Sequence, residues 1–274
     1  MGDVSAGQDG RKFLAAICVG DVCHGTVVAV SRSEMSVTLD GFPAHPLGSV
    51  GTLDCSWRRR FDDVAVVGRR IAGEVLAVDL DAGRVRLSMA ATENPELWGF
   101  LKRLGPGELL TGTVVAIEPF GVFVALDDGP DHPVHPGVGF ITYPELSWTR
   151  IEAASDVVGI GQRVSCEFLQ FDTWNGEARL SLRATRADPF LEFADGLAVG
   201  DRLSGRVTRL VPFGAFVRVA DGVEGLVQLS ELGPAPVAAP EDVVQVGDQL
   251  TVVVLDVDRE RRRISLSRQV LRQA

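Results

Sequence analysis

One phrase occurs three times in this chain. "GTVVAVSRSEMSVTL" from Gly25, "GTVVAIEPFGVFVAL" from Gly112 and "GRVTRLVPFGAFVRV" from Gly205 align without a gap. Landmarks precede each copy: "VGD" at Val19 and Val199, "GPGE" at Gly105. Each copy is followed by a closing segment: "VLAVDLDAGRVRLSM", "EFLQFDTWNGEARLSL" and "VVVLDVDRERRRISLS". A glycine turn stands before each closing segment, at Gly68, Gly161 and Gly247, and the units recur about every 90 residues. A repeat of that length is one supersecondary unit used three times, so it dictates how the 274 residues must divide.

Within each unit apolar residues alternate with polar ones in about five short runs separated by turns, the pattern of half-buried strands. A sheet of that size protects its edges by closing on itself. The reading is an all-β chain of three tandem five-stranded barrels of the OB type, joined by short helical linkers. The expected boundaries are an extension over 1–17, a degenerate barrel over 18–91, a linker over 92–104, a barrel with an insertion over 105–184, a linker over 185–196 and a barrel over 197–270. In the linkers "TENPELWGFLKRL" and "RADPFLEFADGL", Asn94–Pro95 and Asp188–Pro189 have the chemistry of an N-cap followed by a first helical residue. Trp98, Phe100, Phe190 and Phe193 then pack on a barrel end.

Composition narrows the function. No apolar run approaches the ~20 residues that cross a bilayer, and the N-terminal apolar stretch is too short for a signal peptide, so a cytoplasmic, non-membrane protein is expected. The four cysteines form no paired CxxC set, and Cys18, Cys23, His24 and Cys55 are read as ordinary strand residues rather than zinc ligands. The formal charge of −10 argues by itself against a polyanion partner. Positive charge is almost all arginine, which stacks on bases as well as pairing with phosphate; only Lys12 and Lys102 are lysines.

The phrases "GRVTRLVPFGAFVRVADGVEGLVQLSEL", "VLDVDRERRRISLS" and "GVGFITYPELSW" resemble the S-one RNA-binding domain, the OB-type repeat of a ribosomal protein family. The resemblance covers about residues 18–270 and is weakest in the first unit. It implies single-stranded RNA as the partner, a role in bacterial translation, no cofactor and no catalysis. In that family two strand aromatics, a polar residue usually His, and an Asp and Arg near the last strands line the RNA face. Carried over, these positions are Phe213, Phe216, Gln228, Asp258 and Arg263 in the third unit. In the second they are Phe120, Phe123, Thr142 and Asp172, with Glu177 where Arg is expected. In the first, Ser33 and Ser36 replace both rings, Asp54 stands near the His position, and Asp79 and Arg84 remain.

Phe213 and Phe216 are three apart, which in one regular strand puts them on opposite faces. A bulge at Gly214 is expected to slip the register and bring both rings out beside Arg218, making a stacking platform. Charge ranks the units. Residues 197–270 hold 9 Arg and 10 acids, whereas 105–184 hold 4 Arg and 11 acids, so the third unit should bind RNA better. The run Arg259–Arg263 reads either as a phosphate contact or as a solvated hairpin turn. In the first unit Trp57, Arg58, Arg59, Arg60 and Phe61 could contact RNA, the small ribosomal subunit or another protein, the alternative being a solvated loop with Trp57 tucked onto the barrel. Two other readings of the chain stay open. One is a protein adaptor with weak RNA affinity. The other, more distant, is a metal-dependent enzyme using Asp127, Asp128, Asp131, His132 and His135 in the Pro/Gly-rich insertion.

Overall fold

The computed structural model describes residues 3–233 and 237–268; residues 269–270 of the expected third barrel lie outside them. Fifteen described strands form three closed barrels of five. The first is built from β1 (Val22–Val30), β2 (Glu34–Leu39), β3 (Gly48–Gly51), β4 (Arg70–Asp79) and β5 (Arg84–Ser88). The second comprises β6 (Leu109–Glu118), β7 (Gly121–Leu126), β8 (Gly139–Thr142), β9 (Arg163–Asp172) and β10 (Glu177–Ser181). The third comprises β11 (Arg202–Val211), β12 (Gly214–Ala220), β13 (Val223–Gln228), β14 (Gln249–Asp258) and β15 (Arg263–Ser267). All three share one order: the first strand pairs antiparallel with the second and fourth, and the third pairs parallel with the fifth.

Two bulges recur in each barrel. The first strand slips register between Val27 and Ala29, Val114 and Ala116, and Val207 and Arg209. The fourth slips at the equivalent place, between Val75 and Ala77 and between Val254 and Asp256, with a matching irregularity in the β9–β10 pairing. An unpaired residue bends and twists a strand, and five strands need such bends to close so tight a barrel. The opening glycine of each repeat serves the same closure. A Cβ on Gly25, Gly112 or Gly205 would stand 2.4, 2.4 and 2.6 Å from a carbonyl oxygen of the neighbouring strand. Inside, alternate residues meet. Val207, Ala215, Val217, Val223, Val227, Val252, Val254, Ile264 and Leu266 fill the third barrel. A Val or Ile so buried is worth ~1.5–3 kcal/mol.

Chain between barrels is helical, as its capping residues predict. α1 (Asp3–Ala15) precedes the first barrel and α2 (Phe61–Val64) lies within it. α3 (Met89–Glu93) and α4 (Pro95–Arg103) follow it, and α5 (Tyr143–Leu146) follows β8. α6 (Pro189–Asp195) precedes the third barrel and α7 (Leu229–Leu232) closes β13. Asp188 caps α6 by accepting from the Phe190 N–H, but Asn94 does not cap α4; its amide turns back to the Ala90 carbonyl. Trp98, Phe100 and Phe190 are buried, and Phe193 packs on the third barrel's core. The described end of the expected N-terminal extension packs on the first barrel. Leu14 of α1 is wholly buried in its core and Phe13 stacks on Phe42 at 5.5 Å. Between Asp9 and Ala15 the apolar side chains of Phe13 and Leu14 are adjacent in sequence, which is too little to show as a helical period.

The chain forms two units: one holds the chain up to Tyr143 with Val158–Ser181, the other Pro144–Val157 with the chain from Leu182 onward. The first two barrels thus share a unit and the third belongs to the other. No helix among the described residues is long and apolar enough to cross a membrane.

Candidate nucleic-acid interface

In the third barrel, β11 and β12 are joined by a two-residue turn, Pro212–Phe213, because Val211 pairs directly with Gly214. Phe213 therefore stands in the turn and not in the strand. This corrects the expectation of a bulge at Gly214, which pairs in register with both Val211 and Gln228; the bulge lies on β11 instead. Alternation constrains only residues within one strand, so the turn residue is free to point outward with Phe216. Gly214 permits the turn: its φ is +154°, and a Cβ there would sit 2.2 Å from the Val227 carbonyl oxygen.

Phe213 (58% exposed) and the half-buried Phe216 line one groove of 420 Å³ with Leu226, Gln228, Arg262, Arg263 and Ser265, and the Glu224 carboxylate stands at its edge toward Arg218. Arg209, across the strand pair from Phe216, lays its guanidinium 4.3 Å from that ring. Neither Arg209 nor Arg263 joins an ion pair among the described residues. The groove thus offers an exposed ring, a second ring backed by a cation, an amide and a free guanidinium. These are the groups that stack bases and meet phosphates. Arg209 was missed by sequence reasoning. Its signal was an arginine where the sister repeats hold Ala29 and Ala116.

Two expected members lie outside that groove. Arg218 lines a neighbouring cleft with Trp148 and Arg150 and sits 3.8 Å from Glu224. Asp258 serves its own turn by accepting the Arg261 N–H at 2.8 Å. The arginine run divides as well. Arg259 donates to the Ala194 carbonyl, while Arg262 pairs with Asp188 and lies between the rings of Trp148 (4.6 Å) and Phe190 (5.2 Å). Arg262 holds φ +53°, the one positive value among described non-glycine residues. Arg262 and Arg263 both line the groove, and of the two Arg263 is the one whose guanidinium is not taken by a carboxylate among the described residues.

The second barrel carries the same slots filled differently. Phe120 is 62% exposed, but Phe123 is only 3% exposed and Phe140 only 5%. The imidazole of His135, from the insertion, stacks on Phe123 at 5.1 Å and 19°. Thr142 pairs with Gly121, as Gln228 does with Gly214. Asp172 is engaged by Arg179 at 2.5 Å and by the N–H of Trp174. The Arg163 guanidinium is held by Asp127 at 2.6 Å. Glu177, in the arginine slot, is buried with one carboxylate oxygen lacking a hydrogen bond; Arg179 approaches that oxygen only to 3.4 Å. Burial, ahead of its charged neighbours, pushes the Glu177 carboxyl up to about 7. Burial likewise lowers His135, and brings His132 down to about 4.

In the first barrel Glu34 takes the glycine slot opposite Gly51, and the Asp54 carboxylate lies over Gly51 as expected near the His position. Ser33 stands in the turn and Ser36 in β2, so the face has no ring. Arg84 pairs with Glu34 at 3.3 Å. The "SWRRRF" segment is partly engaged: Trp57 stacks on His132, Arg59 pairs with Glu93 at 2.6 Å and Phe61 packs on the core. Arg58 and Arg60 remain exposed. Among the described residues no group of three or more His, Cys, Asp or Glu is gathered to hold a metal ion.

A model of the S1 (S-one) RNA binding domain matches residues 103–183 and 197–269. The "Small ribosomal subunit protein bS1" of Mycolicibacterium smegmatis is 43% identical over 253 residues, 90% of this chain and 50% of that protein. The protein of the same name from Mycobacterium tuberculosis is 42% identical over 253 residues, again 90% and 50%. The chain thus spans about half the length of the curated relatives it matches. A solved structure, GSP13 from Bacillus subtilis, shares 38% identity over 28% of this chain and 60% of its own, with a TM-score of 0.27. These two matches together span more than half of the chain, and with relatives 42–43% identical over 90% of it they show that the chain belongs to the S1 RNA-binding-domain family.

Proposed function

We propose that this chain is a non-enzymatic binder of single-stranded RNA that acts in bacterial translation, in the cytoplasm and on the small ribosomal subunit. The observation that carries the reading is the open Phe213/Phe216 groove with Arg209 and Arg263 unpaired beside it. Stacking on each ring contributes ~1–3 kcal/mol per base and tolerates any sequence. The two guanidiniums offset the chain's overall negative charge where the backbone runs. RNA is held along the third barrel. The names of the relatives support the ribosomal setting.

The first unit fits a protein contact better than an RNA contact. Its first barrel has no ring on the equivalent face, and both Arg163 and Arg179 of its second are neutralised by carboxylates. Arg58 and Arg60 are exposed basic groups that it offers to a ribosomal partner.

Anisotropy of a fluorescein-labelled single-stranded RNA, titrated with the full chain over a range of salt, tests the reading. Affinity that falls steeply with salt supports it, and no binding at low salt refutes it. Co-sedimentation with small subunits tests the second contact: Arg58→Glu with Arg60→Glu should release the chain, and unchanged sedimentation counts against that partner surface.

A further inference from the structure

The insertion that separates the second barrel from its sisters has a place but no role in the function above. It spans Asp127–Gly137, and its ring, His135, lies on Phe123 nearly parallel at ring-stacking distance. That is the geometry of a base on an aromatic platform. His135 also reaches Glu177 at 3.5 Å, while Arg179 covers Phe140 at 4.8 Å.

His135 is held there by a built support. His132 Nδ1 accepts the N–H groups of Val134 (3.1 Å) and His135 (2.8 Å), which fixes the turn presenting His135. With Nδ1 accepting, the ring proton sits on Nε2, which donates to the Asn175 carbonyl at 2.7 Å. Both nitrogens of His132 are thereby used within the fold. The other side of the support comes from the first barrel. The Trp57 indole stacks on His132 at 5.9 Å and 27°, and its N–H donates to the Thr173 carbonyl at 2.9 Å. Trp57 also lies against Gly176, where a Cβ would meet the ring at 2.8 Å. Rings therefore run without a break from Trp98 through Trp57, His132 and His135 to Phe123.

We propose that the insertion is an intramolecular plug: His135 occupies the base-stacking position on Phe123, and Trp57 of the first barrel bolts the plug through His132. The second barrel is thereby withheld from RNA until the plug lifts. The proposal rests on the RNA-binding reading of the fold. It gives Trp57 a role that is neither RNA contact nor simple packing, since loosening it loosens the plug.

The test uses the full chain with Phe213→Ala and Phe216→Ala, which silences the third barrel, and a fluorescein-labelled oligouridine. Adding His135→Ala should tighten binding by about 5-fold or more, the lower end of one base stack. Adding Trp57→Ala should tighten it by less, His135→Phe should not tighten it, and Phe120→Ala should remove the gain made by His135→Ala. No gain in a His135→Ala chain that melts cooperatively overturns the plug. If that variant does not fold, His132→Gln, which loosens the same turn, is expected to give the gain, and its absence in a folded chain overturns the proposal equally. Failure of the RNA reading looks different: the unaltered chain then binds no oligouridine, and the plug is judged by whether His135→Ala creates binding where none existed.

Discussion

The second and third barrels share strand order, bulges and the "PFGxF" phrase, yet one aromatic face is shut and the other open. In the third, Phe213 and Phe216 border a groove with unpaired Arg209 and Arg263. In the second, Phe123 lies under His135, a glutamate replaces the arginine, and the neighbouring guanidiniums already have carboxylates. A motif on a strand therefore fixes where rings stand but not whether a ligand can reach them. Access is decided by what a loop places above the ring and by which charges are already paired.

That contrast can be broken at several points. The largest effect is expected from Phe213→Ala with Phe216→Ala, which should cost ~2–6 kcal/mol of RNA affinity at ~1–3 per stack, read by anisotropy, while barely moving the melting temperature. Phe123→Ala should invert that pattern. It empties a buried site, so it should cost ~3–5 kcal/mol of stability in urea unfolding without loss of RNA affinity at the third barrel.

Next in size come the guanidiniums. Arg209→Gln or Arg263→Gln should weaken RNA binding several-fold and lower the slope of log affinity against log salt by about 0.7 each. Arg163→Gln, whose guanidinium is already held by Asp127, should leave that slope unchanged.

The smallest effect is a pH dependence peculiar to the closed face. The Glu177 carboxyl is raised from its ordinary 4.5 to about 7 by burial, so folding takes up a proton between those values. Its contribution is whole below about 4.5 and is lost as pH rises through 7. His132 has the opposite sign: lowered to about 4, it destabilises the fold as pH falls below 6.5. The thermal midpoint should therefore drop between pH 6 and pH 8, and Glu177→Gln should flatten that drop. An equal drop in the variant would remove Glu177 as its cause.

Much of this was legible in the chain. Repeated glycines, alternating valines and the Asp188–Pro189 pair announce three small barrels and a capped linker, because closure and capping are local constraints. The open groove was half legible. Phe213, Phe216, Gln228 and Arg263 do meet, but the reason given for the rings was a bulge, and a two-residue turn supplies it instead. The closed face was not legible. His135 reaches Phe123 through an insertion without periodicity, and Trp57 finds the Thr173 carbonyl 116 residues away. No spacing rule encodes such pairings; they exist only once the barrels have closed. The helix at Asp3–Ala15 escaped for a similar reason, being held by the barrel under it and not by a pattern of its own.

The most direct test compares two matched rings, Phe213 and Phe120, which stand in equivalent turns and are similarly exposed. Each is changed to Ala in the full chain, and the dissociation constant for one single-stranded RNA is measured by anisotropy. A loss of about 5-fold or more for Phe213→Ala, in line with one lost stack, and little change for Phe120→Ala is the predicted result. Equal losses, or a larger loss at Phe120, would contradict the assignment of RNA binding to the third barrel.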